Sequence, residues 1–227
     1  MINNNIKINL PFDDQNYLMV EYPDYFYPVQ NKKAKVKDLG KKFAAINSFF
    51  YDYLKEYHIP CAYIKNHNDH SLIYINFEQL AFSIKILNTA DKRTAKLFSI
   101  KEGDNLELPI FEYHYGDSNS KGSLVSESHL IAFDICTYED LKLINRICSK
   151  VNAVLKAFFE RRGEIVAEVT CSFGKSENKI YLIDDFSPLS LKVFPNGSAE
   201  KWANPYSLKT SVSMRKYTNF LFNITNS

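Results

Sequence analysis

The chain has 227 residues, 45% of them hydrophobic, so it can bury a core of its own and wholesale disorder is excluded. Its formal net charge of +2 argues against nucleic-acid binding, and its 7 glycines form neither G-x-G-x-x-G nor G-x-x-x-x-G-K-[ST]. No apolar run of 18 residues could span a membrane, no signal-peptide pattern is evident, and four scattered cysteines without C-x-x-C spacing suit buried thiols in a reducing cytoplasm.

The N-terminal part is predicted to contain an antiparallel sheet and one helix. Residues 6–9 and 17–22 read as two strands joined by a polar turn. Asp38 is predicted to cap a helix that runs to about Tyr57, with apolar residues every three or four positions and Ile59-Pro60 as its stop. Three short strands follow, at residues 61–65, 72–77 and 81–87.

The C-terminal part is predicted to contain a long helix followed by a hairpin. A short helix at 93–98 and a strand at 110–115 come first. Thr137 and Asp140 fit a capping box that opens the strongest helix of the chain, and Gly163 suits the left-handed position after its end. Residues 164–173 and 179–183 read as paired strands, and the last 30 residues give weak signals. The predicted fold class is α+β with a mostly antiparallel sheet.

Three polar or aromatic groups have both a structural and a functional interpretation. The lysine cluster (Lys32, Lys33, Lys35, Lys37, Lys41 and Lys42) is a solvated surface or an anion site. His67-Asn68-Asp69-His70 is a solvated turn or a metal pair. Tyr22, Tyr25, Phe26 and Tyr27 pack in a core or lid, or form a pocket for an apolar or planar ligand.

The most informative segment is an apolar strand that runs into Asp184-Asp185-Phe186-Ser187-Pro188. Carboxylates at a strand end can hold Mg²⁺, which binds a few protein oxygens together with substrate phosphates. An acidic pair before Ser-Pro is also typical of a solvated turn.

The order of these elements resembles the SAICAR synthetase family (phosphoribosylaminoimidazole-succinocarboxamide synthase) from about Lys7 to Lys192. The matching stretches are Tyr57-His58-Ile59-Pro60, Lys101-Glu102-Gly103, Pro109-Ile110-Phe111-Glu112, Val125-Ser126-Glu127-Ser128-His129, the end of the long helix (VNAVLKAFFERRG), Phe173-Gly174 and the strand running into Ser187-Pro188. No single stretch decides the matter; their order and spacing do.

The resemblance implies an ATP-grasp-related fold, with a small N-terminal antiparallel-sheet domain (1–80), a larger mixed domain (81–227) and a cleft between them. It implies a cytoplasmic ATP- and Mg²⁺-dependent ligase that phosphorylates a carboxylate and lets an amine displace phosphate to form an amide. Its partners would be those small molecules, with neither nucleic acid nor membrane, and it suggests a homo-oligomer.

The resemblance also assigns residues to roles. Lys7 and Asp184 match ATP-binding positions, and Asp184 with Asp185 matches the metal-binding acids. Substrate-binding positions are matched by Lys42, Asn47, Glu127, His129 and Lys192, the last of which stands where the family has an arginine. No catalytic residue is assigned.

The departures from the family pattern concentrate on charged positions. Leu87 replaces an arginine that would contact phosphate bidentately, and Asp91 replaces a small neutral residue. Thr170 and Ser172 replace a lysine and a metal carboxylate. Three hypotheses follow: an ATP-dependent carbon–nitrogen ligase with an altered substrate, a non-catalytic relative that binds a nucleotide or a protein, and a kinase-like phosphoryl transferase on the same fold.

Overall fold

The computed structural model describes residues 7–29, 32–116, 123–183, 185–195 and 204–226. Within these ranges the strands are β1 (Ile8–Pro11), β2 (Tyr17–Glu21), β3 (Tyr25–Val29), β4 (Lys32–Lys35), β5 (Tyr63–Asn68), β6 (Ser71–Ile75), β7 (Glu78–Thr89), β8 (Asn105–Tyr115), β9 (Ser123–Val125), β10 (Glu164–Ser176), β11 (Lys179–Leu182) and β12 (Leu191–Pro195). The helices are α1 (Leu39–Glu56), α2 (Lys92–Phe98), α3 (Glu127–Ala132), α4 (Tyr138–Glu160) and α5 (Ser211–Thr225).

The strands form two main antiparallel sheets, which confirms the α+β prediction. The first sheet has the order β1-β2-β6-β5 and lies within residues 8–75. The second has the order β11-β10-β7-β8-β9, with β12 also paired to β10. The predicted domain boundary between residues 80 and 81 falls inside β7, near its start, so the division into 1–80 and 81–227 remains a proposal.

The helix α1 begins through a contact that its sequence did not indicate. The prediction that Asp38 caps this helix is wrong: Asp38 has a left-handed backbone and its side chain makes no capping bond. Asp24 serves instead, because its Oδ1 accepts from the amide of Gly40 at 2.9 Å. A Cβ on Gly40 would lie 1.9 Å from the carbonyl oxygen of Tyr22, so only glycine permits this approach.

The core forms where α1 and α4 meet the sheets. Phe50 of α1 contacts the rings of Phe158, Phe159 and Phe186, and Tyr51 contacts Phe186 as well. Burial of aromatic side chains of this size is the main stabilising contribution in such a core. The four cysteines are buried and unbonded to one another, as predicted.

The long helix and the following hairpin match their sequence signals. The side chain of Thr137 accepts from the amide of Asp140 at the start of α4, and Gly163 has a φ of +73° after its end. The hairpin turn is shorter than predicted: Glu177 and Asn178 alone connect β10 to β11, both with positive φ, as a two-residue hairpin turn requires. Among the described residues, no helix has both the length and the apolar character needed to cross a membrane.

Candidate functional site

The six-stranded sheet has one apolar face and one polar face. On the apolar face, which packs toward α4, lie Ile84, Ile86, Tyr113, Val169 and Cys171. Because side chains alternate along a strand, their sequence neighbours lie on the other face. That face carries the polar groups Ser83, Lys85, Glu112, His114, Glu168, Thr170, Ser172 and Lys192. We identify this polar face as the floor of the candidate site.

Lys85 is the centre of a charge network on this floor. Its Nζ lies 3.2 Å from Asp91 Oδ2 and 3.1 Å from Glu112 Oε2, and Arg93 pairs with the same glutamate. Burial opposes protonation of Lys85, but the charges of Glu168 and Glu112 raise its pKa above the ordinary value. Lys85 is therefore a cation that the protein itself already neutralises.

Asp91 occupies the start of α2. Its Oδ1 accepts from the amide of Thr94 at 2.8 Å, so its carboxylate caps the helix. Burial favours the neutral acid, but the bonds from Thr94 and the charge of Lys85 together lower its pKa. The family resemblance implies a small neutral residue at this position. This chain has the negative charge of Asp91 there instead.

Two further charged groups, Glu168 on β10 and Lys192 on β12, lie on this floor. They are register partners in the antiparallel ladder, and the hydroxyl of Tyr206 is hydrogen-bonded to Glu168. Burial raises the pKa of Glu168 above its ordinary value. Burial also lowers the pKa of Lys192 to about 8, against the opposing effects of Glu168 and Asp185. Lys192 Nζ donates to the carbonyl of Pro188 at 2.7 Å.

The turn after β11 carries one of the two predicted metal-binding acids. Asp185 is buried, and its Oδ1 accepts from the amide of Ser187 at 3.1 Å and from the hydroxyl of Ser190 at 3.4 Å. Asp184, predicted to bind ATP and metal, lies outside the described residues.

Lys7, from the N-terminal part of the chain, reaches this turn. Its Nζ donates to the carbonyl of Ile183 at 3.2 Å and lies 3.8 Å from Asp185 Oδ2. The structure thus brings together Lys7 and Asp185, two residues that the sequence comparison placed at the nucleotide.

The metal interpretation of the acids can be tested against this arrangement. The described residues contain no group of three or more side chains arranged to hold a metal ion by themselves. Mg²⁺ at nucleotide sites is usually held by one or two carboxylates together with phosphate oxygens. The described part of the turn supplies one such carboxylate, Asp185, whose Oδ2 lies 3.8 Å from Lys7 Nζ, so the residues present fit a Mg²⁺ ion brought by a nucleotide once this ion pair opens.

Two predicted substrate-binding residues on α1 contact the protein itself. Asn47 is fully buried, its Oδ1 accepting from the amide of Phe186 at 2.7 Å and its Nδ2 donating to the carbonyl of Phe43 at 2.8 Å. Lys42 Nζ donates to Asn219 Oδ1 of α5 at 2.6 Å. Asn47 therefore positions the turn that carries Asp185, and Lys42 joins α1 to the last helix.

Two further predicted substrate-binding residues, Glu127 and His129, lie at the start of α3. Glu127 Oε1 accepts from the hydroxyl of Tyr113 and from Asn145 Nδ2, which ties α3 to β8 and α4. His129 completes a capping box with Ser126, whose amide donates to His129 Nδ1 at 3.2 Å. Neither residue lines the cavities described below.

Two neighbouring cavities open beside the polar floor. The larger, of about 610 Å³, is lined among others by Lys85, Asp91, Glu168 and Tyr206. The smaller, of about 240 Å³, includes Lys192 and Tyr206 in its lining. Tyr206 belongs to both linings. A ligand in either cavity would therefore meet charged side chains in the lining.

The histidine-containing turn lies elsewhere, between β5 and β6. Asp69 pairs there with Lys41 at 2.7 Å, and His67 and His70 border an open depression with Glu21. This arrangement agrees with the solvated-turn interpretation.

Sequence reasoning assigned no site role to Lys85, Glu112, Glu168 or Tyr206. For the first three a usable signal existed: a charged residue flanked by apolar ones inside a predicted strand, such as Lys85 between Ile84 and Ile86. Buried charges of this kind are rare unless paired or functional. Tyr206 gave no such signal, because it lies in a stretch without periodicity.

Comparison with known proteins gives one consistent result. A family model described as SAICAR synthetase matches residues 7–212. A phosphoribosylaminoimidazole-succinocarboxamide synthase from Desulfitobacterium hafniense (strain DSM 10664 / DCB-2) is 28% identical over 190 residues, covering 83% of this chain and 80% of that protein.

Solved structures of the same name share the fold. The synthase from Ehrlichia chaffeensis superimposes with a TM-score of 0.87 at 22% identity, covering 99% of this chain and 97% of that one. A SAICAR synthetase in complex with ADP gives a TM-score of 0.86 at 23% identity, with 99% and 97% coverage. At these identities the likeness establishes the arrangement of the chain and leaves the chemistry to its own residues.

Proposed function

Since the chain belongs to the SAICAR synthetase family, we propose that it is an ATP-dependent ligase that joins a carboxylate to an amine, and that its substrates differ from those of the relatives it resembles. The observation that carries the second half of this proposal is the network of Lys85, Asp91 and Glu112. Where the family pattern has arginine and small neutral residues, this chain has Leu87, which is fully buried, and an aspartate already paired with lysine.

Lys7 and Asp185 support nucleotide binding at the turn after β11. Both are held close together by the contacts described above, and a relative of the same fold is described as a complex with ADP. Asp184 and Asp185 would hold Mg²⁺ there, and the ion would neutralise phosphate charge during phosphoryl transfer. Lys7 would then exchange its contact with Ile183 for a phosphate oxygen.

The reaction has two steps. A carboxylate oxygen attacks the γ-phosphorus of ATP and ADP leaves, which gives an acyl phosphate. The amine nitrogen then attacks the carbonyl carbon, inorganic phosphate leaves, and the nitrogen loses a proton as the amide forms. The two cavities beside the polar floor give the organic substrates a place next to the nucleotide end. Competing water would have to be kept from the acyl phosphate there.

Fixed negative charge at Asp91 argues against a phosphorylated substrate in the larger cavity. Lys85 is engaged by two carboxylates, and a phosphate dianion placed beside it would meet Asp91 at short range. Removal of one charge-stabilising group commonly costs 10² to 10³ in rate. Ordinary SAICAR synthesis is therefore expected to be slow or absent.

Thermal stabilisation by Mg·ATP tests the proposal first. A ligand that binds only the native state raises stability by RT ln(1 + [L]/Kd), so nucleotide at 100 times its Kd should contribute about 2.7 kcal/mol. The variant Asp184→Asn should lose this effect. If Mg·ATP gives no shift, the ligase proposal fails and a non-catalytic relative is favoured.

ADP release in the presence of carboxylates and amines tests the second step. Release that requires both substrates identifies a ligase, whereas release that requires an alcohol or phosphate acceptor alone identifies a kinase-like phosphoryl transferase. The cytoplasmic location and the homo-oligomer that the resemblance suggests remain predictions, checked by fractionation and analytical ultracentrifugation.

A further inference from the structure

The smaller cavity combines aromatic walls with positive charge. Its described lining includes the aromatic residues Phe26, Tyr27 and Tyr206 together with the lysines Lys192 and Lys209. No aspartate or glutamate belongs to this described lining. The lining of the larger cavity, by contrast, is mixed in charge, with Asp91, Glu102 and Glu168 beside Lys85 and Lys92.

The aromatic walls come from separate elements of the chain. Phe26 and Tyr27 belong to β3, and they share this cavity lining with Lys192 of β12. Phe26 is buried, which fixes its ring, and Tyr27 is half-buried. Tyr206 is half-exposed and lies within 6.0 Å of Lys192 Nζ at its ring centroid. Flat apolar walls of this kind fit a planar ring better than a sugar.

The charge comes mainly from Lys192, which is 8% exposed. An ammonium group has three donors, and the contact with the carbonyl of Pro188 uses one of them. The acidic groups that act on Lys192 are Glu168 on β10 and Asp185 in the turn, and neither belongs to the cavity lining. An anionic group in the cavity would bind this buried cation from its open side.

The volume of the smaller cavity and its position restrict the kinds of ligand that it can bind. A volume of about 240 Å³ lies below the range of about 300–1,000 Å³ that drug-sized ligands occupy, so the cavity is too small for a nucleotide. Asp185, at the nucleotide end, lies near enough to Lys192 to act on its charge. A carboxylate held by Lys192 would therefore lie on the side of the cavity that faces the phosphate donor.

We infer that this cavity binds a small planar carboxylate that carries no phosphate, with its ring against Tyr27 and Tyr206 and its carboxylate on Lys192. The inference rests on the proposed function only in making this carboxylate the group that is phosphorylated. Binding itself requires neither ATP nor catalysis.

Calorimetric titration of the full chain with three probes tests the inference: benzoate, cyclohexanecarboxylate and ribose 5-phosphate. Benzoate is expected to bind with a Kd of about 1 mM, a reasonable value for nine heavy atoms. Cyclohexanecarboxylate, equal in charge but not planar, is expected to bind at least fivefold more weakly. Ribose 5-phosphate is expected not to bind.

Variants separate the contributions of charge and ring. Lys192→Gln should weaken benzoate binding about tenfold or more, whereas Lys192→Arg should retain it. Tyr27→Leu should reduce the preference for benzoate over cyclohexanecarboxylate. The matched controls are Lys142→Gln and Tyr138→Leu, at exposed positions of α4; these should leave all affinities unchanged. Circular dichroism and unfolding midpoints exclude variants that do not fold.

Three results would overturn the inference: absence of benzoate binding to the wild type, equal affinity for the planar and non-planar acids, or tighter binding of ribose 5-phosphate with the same dependence on Lys192. Failure of the ligase proposal can be distinguished from failure of this inference about the carboxylate site. If benzoate binds as described while Mg·ATP gives no stabilisation, the carboxylate site stands and the ligase does not.

Discussion

Glu168 and Lys192 face each other as register partners across β10 and β12, and both side chains are more than nine-tenths buried. Burial shifts the pKa of each group toward its neutral form, so the folded protein holds both charges at a cost, and replacing buried charges of this kind by apolar side chains is often neutral or stabilising. We therefore expect Lys192→Met to leave the free energy of unfolding at pH 7 unchanged or to raise it, measured by urea titration. In the double variant with Glu168→Gln the combined effect should differ from the sum of the two single effects, and strict additivity would show that the two groups do not interact.

The depressed pKa of Lys192 predicts a stability that rises with pH. The folded protein releases this proton near pH 8, whereas the unfolded chain keeps it to about 10.5. Between these values the unfolded state binds more protons, so the free energy of unfolding increases with pH, by about 3 kcal/mol at most. The charged and titratable groups acting on Lys192 are Glu168, Asp185 and Lys85.

Urea midpoints measured from pH 7.5 to 9.5 check this expectation, since the buried tyrosines begin to oppose it above pH 10. Burial raises the pKa of Tyr217, so its ionisation favours the unfolded state at high pH. Lys192→Arg should lack the rise between pH 8 and 9.5, because arginine stays protonated throughout. A rise that persists unchanged in this variant would assign the effect to another group.

Lys7 offers a test of the nucleotide end. Its side chain is 16% exposed, and its bonds are to Ile183 and to the buried Asp185. We expect Lys7→Ala to weaken Mg·ATP binding about tenfold, measured by calorimetry, and to lower the unfolding midpoint without nucleotide, because Asp185 loses this cation. Lys65→Ala, an exposed lysine on β5, serves as the control. Equal affinity in both variants would remove Lys7 from the nucleotide site.

Asn47 is expected to act through the position of a turn. The Nδ2 of its side-chain amide donates to the carbonyl of Phe43, and the Oδ1 accepts from the backbone amide of Phe186. Both hydrogen bonds are buried. Asn47→Ala should leave these two backbone groups unsatisfied and lower the free energy of unfolding by about 2 kcal/mol. Asn105→Ala, at an exposed position of β8, should have no measurable effect. An Asn47→Ala protein of normal stability with altered ligand affinity would instead favour direct substrate contact.

Tyr217 connects the last helix to the strand that carries Lys192. Its hydroxyl accepts from the amide of Val193 at 2.7 Å and donates to the carbonyl of Leu191 at 2.9 Å. Tyr217→Phe keeps the ring but leaves two buried backbone groups without this partner, so we expect a loss of about 1–3 kcal/mol in unfolding free energy. Tyr138→Phe, at an exposed tyrosine, is the control, and equal stability of the two variants would contradict the expectation.

Local sequence signals predicted the elements that stand alone and failed for those that depend on distant partners. The helix α4 was predicted well because Thr137 and a long apolar stripe lie within it. The Asp38 cap was wrong because Asp24, far along the chain, satisfies the amide of Gly40. The helix α5 was missed although usable signals existed: Thr210 and Ser213 form a capping box, and the buried Met214, Tyr217, Thr218 and Leu221 recur at helical spacing.

The candidate site shows the same division. The family resemblance assigned Lys7 to ATP binding and Asp185 to metal binding, and the structure brings these two residues within 3.8 Å. The sequence did not indicate that Lys85 would lie beside Glu112, or Glu168 beside Lys192. Strand register decides which charges become neighbours, and it cannot be read from either strand alone. For the aromatic cluster the sequence left a core and a ligand pocket open. The structure divides it: Phe26 and Tyr27 line the cavity and Tyr22 lies in the core, while ligand binding there stays a prediction.

The division of the six-stranded sheet into two faces has a consequence for how such a protein can change. Exchanges among Ser83, Thr170 and Ser172 alter what the cleft can recognise without touching the hydrophobic packing beneath, so ligand preference can drift while foldability is retained. A library confined to these three positions should therefore yield mostly folded proteins with redistributed binding preferences, which makes this surface a practical starting point for engineering.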